Sequence, residues 1–292
     1  MTSGVTPELA RKTWRSMEAV HGMIYFTSDA TEEYAKLGIT NNRTGYFASR
    51  VAAMGAVPAD VVIATFFNFH PGLVRRAMRD AWTTTNPQAM LEARLAAVDR
   101  SLRRAFDSEL LQSTDLRTVV DALHSAADVA TWQPEGRPLF AGHAQLPWPT
   151  EPHLVLWHAQ TLLREFRGDG HIAALTVEGL SGLDALISHA ASGDVPAEIL
   201  RQTRSWSEDE WAAGVASMAE RGLVDGTGAF TEAGRAQRNR IESATDRLAL
   251  APFAALGEET CAFIRQMGKT LTGLVLGAGL MNVDLSRLDE NL

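Results

Sequence analysis

Residues 151–179, EPHLVLWHAQTLLREFRGDGHIAALTVEG, constrain the fold more than any other stretch. Val155, Ala159, Leu162 and Phe166 recur at steps of four, three and four, which sets them on one face of an α-helix. His153, Trp157, Gln160, Arg164 and Arg167 follow the same steps on the opposite face, and the count continues to His171. An ordinary solvent face carries Glu, Lys and Ala. This one carries histidine, tryptophan and arginine, groups that recognise ligands. The pattern predicts that the helix breaks into a flexible turn at Gly168-Asp169-Gly170.

Helical signals dominate on either side. Thr6-Pro7-Glu8 offers a cap with proline at the first helical position, and the helix it opens is expected to run through Trp14, Met17, Val20 and Ile24. A second helix is expected from Ser28 to Gly38 and a third from Arg43 to Met54. Pro58 to Phe69 is apolar nearly all round and is therefore expected to be central. Pro71 disfavours helical geometry at His70, placing that imidazole at a helix end. Helices over 72–82, 87–106 and 115–131 follow, the second of them polar enough for the surface. No strand pattern of convincing length precedes Gly193-Asp194-Val195-Pro196, which reads as a linker. The expected fold is mainly α, with an all-helical ligand-pocket domain over 1–194 and a second domain over 195–292.

Composition narrows the function classes. The 46% apolar and 21% charged fractions belong to a globular protein. The apolar stretch Leu271 to Val283 is interrupted by glycines and too short to span a bilayer, and the N-terminus lacks the pattern of a secretion signal. The single cysteine, Cys261, excludes an internal disulfide framework and a cysteine-based zinc site. These features predict a cytoplasmic protein without a membrane partner. A net charge of −8 and a pI near 5.5 weigh against nucleic-acid phosphates as the main partner.

In the C-terminal part, Ser207-Glu208-Asp209-Glu210 is a capping box for a helix reaching Arg221. Leu223-Val224, the turn Asp225 to Gly228, and Ala229-Phe230 then form a hairpin, and Thr231 opens a long helix to about Leu250. The string MAERGLVDGTGAFTEAGRAQR, Met218 to Arg238, resembles the recognition-helix-to-wing segment of MarR-type transcriptional regulators over roughly 40 residues. The whole chain, including Arg164 to His171, resembles an actinobacterial helix-turn-helix family. That resemblance implies an all-helical N-terminal domain fused to a winged-helix-like module and implies no particular activity. The chain departs from the DNA-binding pattern: Glu208, Asp209, Glu210 and Glu220 stand against Arg221 alone. Arg201 to Lys269 holds nine basic and ten acidic residues. A major-groove helix needs Arg, Lys, Asn, Gln or Ser, so a dimerisation or lid role fits at least as well as DNA contact.

Two readings stand for the His153–His171 face. As a pocket, Arg164 and Arg167 would clamp a carboxylate or phosphate, Trp157 would stack on a ring, and His171 would act as donor or base. As ordinary packing, the arginines would pair with Glu165, Asp169 or acids elsewhere. The Arg-Gly-Asp tripeptide at 167–169 is taken as a coincidence with the adhesion motif. His21 with Tyr25, Tyr46 with Arg50, and Asn68 with His70 are polar pairs in apolar helices. They would be convergent contacts if their helices enclose one cavity and isolated core residues otherwise. None of the eight histidines shows the spacing of a helical zinc site, and no glycine loop or nucleophile elbow appears. No metal is expected, and the cofactor is left open. The leading expectation is binding of an anionic or aromatic small molecule by a homodimeric regulator. The rival is an enzyme of secondary or cofactor metabolism, with the winged helix as scaffold or dimerisation element, His171 or His21 as acid/base, Asp169 orienting it, and Arg164 and Arg167 clamping an anion.

Overall fold

The structure, a computed structural model, describes residues 4–281. The expected mainly α class holds: eighteen α-helices and, among the described residues, one antiparallel bridge, Val224 to Phe230. The strands expected around Asp225-Gly226-Thr227-Gly228 shrink to that bridge because Asp225 turns the chain on itself. Its carboxylate accepts the N–H groups of Thr227 and Ala229 at 2.8 and 3.1 Å.

Helix Pro152–Val177 is the axis of the larger body. It is packed by helices Thr114–Ala130, Pro138–Ala144, Pro87–Ala105, Glu18–Gly22 and Glu232–Leu248. The break expected at Gly168-Asp169-Gly170 is not there. Glycine inside a helix costs about 1 kcal/mol relative to alanine, and tertiary contacts offset it. A Cβ on Gly170 would lie 3.3 Å from that of Leu248, so the glycine admits helix Glu232–Leu248 to close range. Asp169 accepts the Phe140 N–H at 3.0 Å, satisfying an orphan donor in the first turn of helix Pro138–Ala144. Nor is the helix two-faced. Leu156, Trp157, His158, Thr161, Leu162 and Phe166 are all buried, around its whole circumference.

Other expectations shift for local reasons. The first helix stops at Ser16, resumes over Glu18–Gly22 and ends in a 3₁₀ turn, Met23–Tyr25. The apolar run after Pro58 is not central. Helix Ala59–Phe66 is eight residues long and buries only Val62, Thr65 and Phe66. It ends abruptly because Phe67 takes φ 49°, ψ −55° and the Asn68 N–H reaches back to Phe66 O at 2.5 Å. This is a γ-turn with positive φ, a strained geometry for a bulky residue. Helix Pro87–Ala105, expected at the surface, buries Met90, Arg94, Ala97, Val98 and Ser101 along one face.

Downstream of Gly179, helices Gly182–Ala191 and Glu208–Glu220 enclose a small core of Ile187, Met218 and Val224, and helix Ala197–Arg204 packs on the first of them. The expected capping box forms: Ser207 Oγ accepts the Glu210 N–H at 3.2 Å, and the Glu210 carboxylate accepts the Ser207 N–H at 2.9 Å. Thr231 caps helix Glu232–Leu248, and Gly234 lets it start against the hairpin, since a Cβ there would fall 1.8 Å from Leu223 O. Helix Glu258–Gly277 returns to the larger body. Its Cys261, Ile264, Leu271 and Val275 join the same core as Met17, Val20 and Leu162.

Candidate functional site

Six of the residues singled out in the sequence converge, at the meeting of the first helices, helix Asn42–Val51 and the axial helix. His21 is fully buried and lies parallel to the Trp157 indole, ring centroids 5.5 Å apart. The Thr161 hydroxyl donates to Trp157 O at 3.0 Å, so it accepts from His21 Nδ1 at 3.1 Å. His21 Nε2 is then the acceptor for the Tyr25 hydroxyl at 2.9 Å. Burial, with Arg164, Arg94 and Arg50 around the ring, holds this imidazole well below its ordinary pKa, so it is neutral.

Arg50 joins the other half. Its Nη1 donates to the Tyr46 hydroxyl at 3.0 Å, and its Nη2 to both Glu165 oxygens at 2.8 and 3.0 Å. Arg164 donates to Glu165 at 3.2 Å and through Nε to Glu18 at 2.8 Å. Burial alone would raise the Glu165 carboxyl, but Arg50 and Arg164 outweigh it and hold its pKa at about 2. Burial would likewise raise the Tyr46 phenol, yet Arg50, Arg164 and Arg204 together pull it below 10. The Tyr25 and Tyr46 rings stand 5.2 Å apart.

Two members of the cluster escape sequence reasoning. Arg94 stacks its guanidinium 4.8 Å above Trp157 and donates to Ser49 O at 3.0 Å. A signal for it exists: Met90, Arg94, Ala97, Val98 and Ser101 share one helical face, so an arginine there is buried. Arg204, at the end of helix Ala197–Arg204, lies 4.8 Å above the Phe69 ring. No local pattern marks it, because its partners are some 140 residues distant.

A cavity of about 130 Å³ opens beside the cluster, between helices Ser28–Lys36 and Asn42–Val51. Tyr25, Tyr34 and Tyr46 line it, with Thr27, Asn42 and Ser49 supplying polar groups. Gly45 shapes it, because a Cβ there would sit 2.8 Å from the Tyr34 ring.

The remaining sequence candidates lie elsewhere. His153 bonds Asp99 at 2.7 Å, at the opening turn of the axial helix. Gln160 is buried in the same helix, with neither amide atom hydrogen-bonded to protein. Arg167 is ion-paired with Asp246 at 2.8 Å and packs on Trp14, with no open space beside it. His171 bonds Thr245 at 2.9 Å, and burial lowers its pKa to about 4. Asp169 and His171, two apart on a helix, diverge, so Asp169 does not orient that imidazole. The anion clamp of Arg164 with Arg167 does not form either, since each is tied to its own acids. Arg167 and Asp169 are buried, which withdraws the Arg-Gly-Asp string from any adhesion role. Among the described residues, no three His, Cys, Asp or Glu side chains converge on a metal position, and no single helix is long and apolar enough to cross a membrane.

Asn68 and His70 sit where the larger body meets the C-terminal helices. Asn68 O accepts from Trp206 Nε1 at 3.0 Å, and the His70 N–H donates to Arg204 O at 3.0 Å. His70 Nδ1 accepts the Gly72 N–H, so Nε2–H donates to Glu210 at 3.0 Å. Gly182 presses on the same turn: a Cβ there would lie 2.0 Å from Phe67 O. The strained Phe67 turn is thus gripped by the three helices around Ile187, while Arg50 covers its Phe66 ring at 4.3 Å.

No curated protein and no solved structure matches the chain. A helix-turn-helix family model matches residues 10–282, nearly the whole length, and the chain belongs to that family.

Proposed function

We propose that the protein is a cytoplasmic regulator whose helix-turn-helix module responds to a small molecule bound in the helical body. Family membership points to a DNA-binding, regulator-like role. Helices Gly182–Ala191, Ala197–Arg204 and Glu208–Glu220, with the Val224–Phe230 hairpin as a minimal wing, are the module. On this reading it opens after Gly179, ahead of the linker expected at 193–196, and closes before Leu250, as an insertion, and the regulator is a homodimer. The observation that carries the proposal is the Phe66–His70 segment. One side of it packs on Tyr46 and Arg50, with Tyr46–Phe69 centroids 5.7 Å apart; the other holds Trp206, Arg204 and Glu210. A change at the cluster therefore reaches the module through five residues of chain that contain one strained turn, at Phe67.

The outward face of helix Glu208–Glu220 bears Glu208, Asp209, Ala212, Ala216 and Glu220. Phosphate contacts must come from exposed arginines beside it, such as Arg235 after the hairpin. Few such contacts predict a shallow salt dependence. The test is capture of genomic DNA fragments by the purified full chain, then fluorescence anisotropy from about 50 to about 200 mM salt, with and without a small-molecule extract. Sequence-selective binding that the extract alters is the expected result. Absence of any enriched fragment sinks the regulator reading. One observation favours an enzyme instead: the Tyr46 phenol, held below its ordinary pKa beside a cavity, suits proton transfer. Turnover of a cavity-bound compound, lost in Tyr46→Phe, would decide for it.

A further inference from the structure

We propose that the tyrosine-walled cavity and the arginine cluster beside it together bind a one-ring aromatic carboxylic acid. The ring occupies the cavity, and the carboxylate faces the guanidinium side of Tyr25 and Tyr46. This names the ligand class for the sensing role above and rests on that reading.

Size, walls and charge each contribute. A cavity of about 130 Å³ is close to the roughly 150 Å³ that accommodates benzene in an engineered protein core. Its walls are the tyrosine rings 25, 34 and 46, which offer edge-to-face partners to another ring. Phe26, 64% exposed, stands among the lining residues where an entering ring would meet it. The polar side chains of the lining besides the tyrosines, Thr27, Thr31, Asn41, Asn42 and Ser49, are neutral. Charge is supplied from behind the rings. Arg50, Arg94, Arg164 and Arg204 surround Tyr25 and Tyr46, against the carboxylates of Glu165 and Glu18. Arg94 is 2% exposed and donates to neutral oxygens, Ser49 O and the Tyr25 hydroxyl, and its Nε is unpartnered. Arg204 Nε is buried and unpartnered as well. Guanidiniums buried without matching carboxylates are costly in isolation, so the cluster favours an incoming anion. A neutral ring would leave that charge unanswered. A bare inorganic anion would leave the aromatic walls unused.

Isothermal titration calorimetry of the full chain with benzoate, benzyl alcohol and inorganic phosphate tests this. Benzoate is expected to bind at one site with Kd below about 1 mM. Benzyl alcohol should be at least about tenfold weaker, for want of a charge-assisted hydrogen bond, and phosphate should not displace benzoate. Arg164→Gln and Tyr46→Phe should each weaken benzoate about tenfold. Thr31→Trp, at an exposed position on the cavity lining, should block binding without touching the core, and it serves if the cluster variants fail to fold. No benzoate binding, equal affinity for benzyl alcohol, competition by phosphate, or undiminished binding to Thr31→Trp overturns the proposal. Benzoate binding that leaves DNA affinity unchanged upholds the ligand class and removes the regulatory role, so the two failures are distinguishable.

Discussion

Replacing Asp169 by asparagine should stabilise the protein above pH 6. Asp169 is 5% exposed and its carboxyl is pushed from 3.8 up to about 6. Burial is the main cause and the Glu165 charge adds to it, against the opposing Phe140 and Leu139 N–H groups and Arg137. A carboxyl whose folded pKa lies above its unfolded value stabilises the fold when protonated, and that contribution is lost as pH rises from about 4 through about 6. A gap of about 2 corresponds, at about 1.4 kcal/mol each, to about 3 kcal/mol of penalty at neutral pH. Asparagine keeps an oxygen for the Phe140 N–H and removes the charge, but its NH₂ needs a partner, and leaving it without one costs about 1–2 kcal/mol. The net expectation for Asp169→Asn is a gain of about 1–2 kcal/mol at pH 7.5 that fades as pH falls from 6 toward 4, so that the acid-side loss of stability steepens. Urea unfolding curves at half-unit pH steps measure both. A loss of stability at pH 7.5 together with an unchanged pH profile would refute the reasoning.

Three further outcomes are expected. Glu165→Gln leaves Arg50 and Arg164 facing each other without their shared carboxylate. It should cost about 3–5 kcal/mol of stability by thermal or urea unfolding; a change below 1 kcal/mol would mean that water already screens the cluster. Gly182→Ala drives a Cβ to 2.0 Å from Phe67 O, where backbone cannot easily yield, and should cost about 1–3 kcal/mol. Hydrogen exchange should show the loss concentrated in 182–204; uniform change across the chain argues against a local joint. Burial lowers His143 to about 3, His158 and His171 to about 4, and His21 well below its ordinary value. Folded values below the unfolded one mean stability present above about pH 6.5 and lost as pH falls toward 4. The free energy of unfolding should therefore drop steeply across that interval, outweighing the opposite effect of Asp169, and a flat profile would show these rings to be hydrated.

What could be read from the chain follows what is local. Caps at Thr6, Asn41, Ser113 and Ser207 act within three residues, so helix starts were legible to within a residue or two. The pairs His21–Tyr25 and Tyr46–Arg50 are single-turn contacts and were legible for the same reason. Helix Pro152–Val177 was legible as a helix but not as an axis buried all round. Its periodicity averages over ion pairs whose partners, Glu18, Asp246 and Asp99, lie far away in sequence. Gly168-Asp169-Gly170 read as a break because propensity is local, while the contacts that override it come from Leu248 and Phe140. Phe67 illustrates the limit: nothing in VVIATFFNF announces positive φ at a phenylalanine, which is imposed by Gly182 and Trp206 from the other side of the joint.

Helix Pro7–Ser16 meets helix Glu258–Gly277 so closely that a Cβ on Gly268 would lie 2.7 Å from Ser16 O, and Thr272 donates to that oxygen at 3.2 Å. Helix Pro7–Ser16 is thus synthesised some 250 residues before its mate. At about 5–20 residues per second that is on the order of tens of seconds. Through this interval the Ser16 end that Gly268 and Thr272 meet stays without that partner, and closure pairs parts of the chain far apart in sequence, which slows folding. Removing helix Glu258–Gly277 should therefore leave the rest as a sticky, incompletely closed bundle.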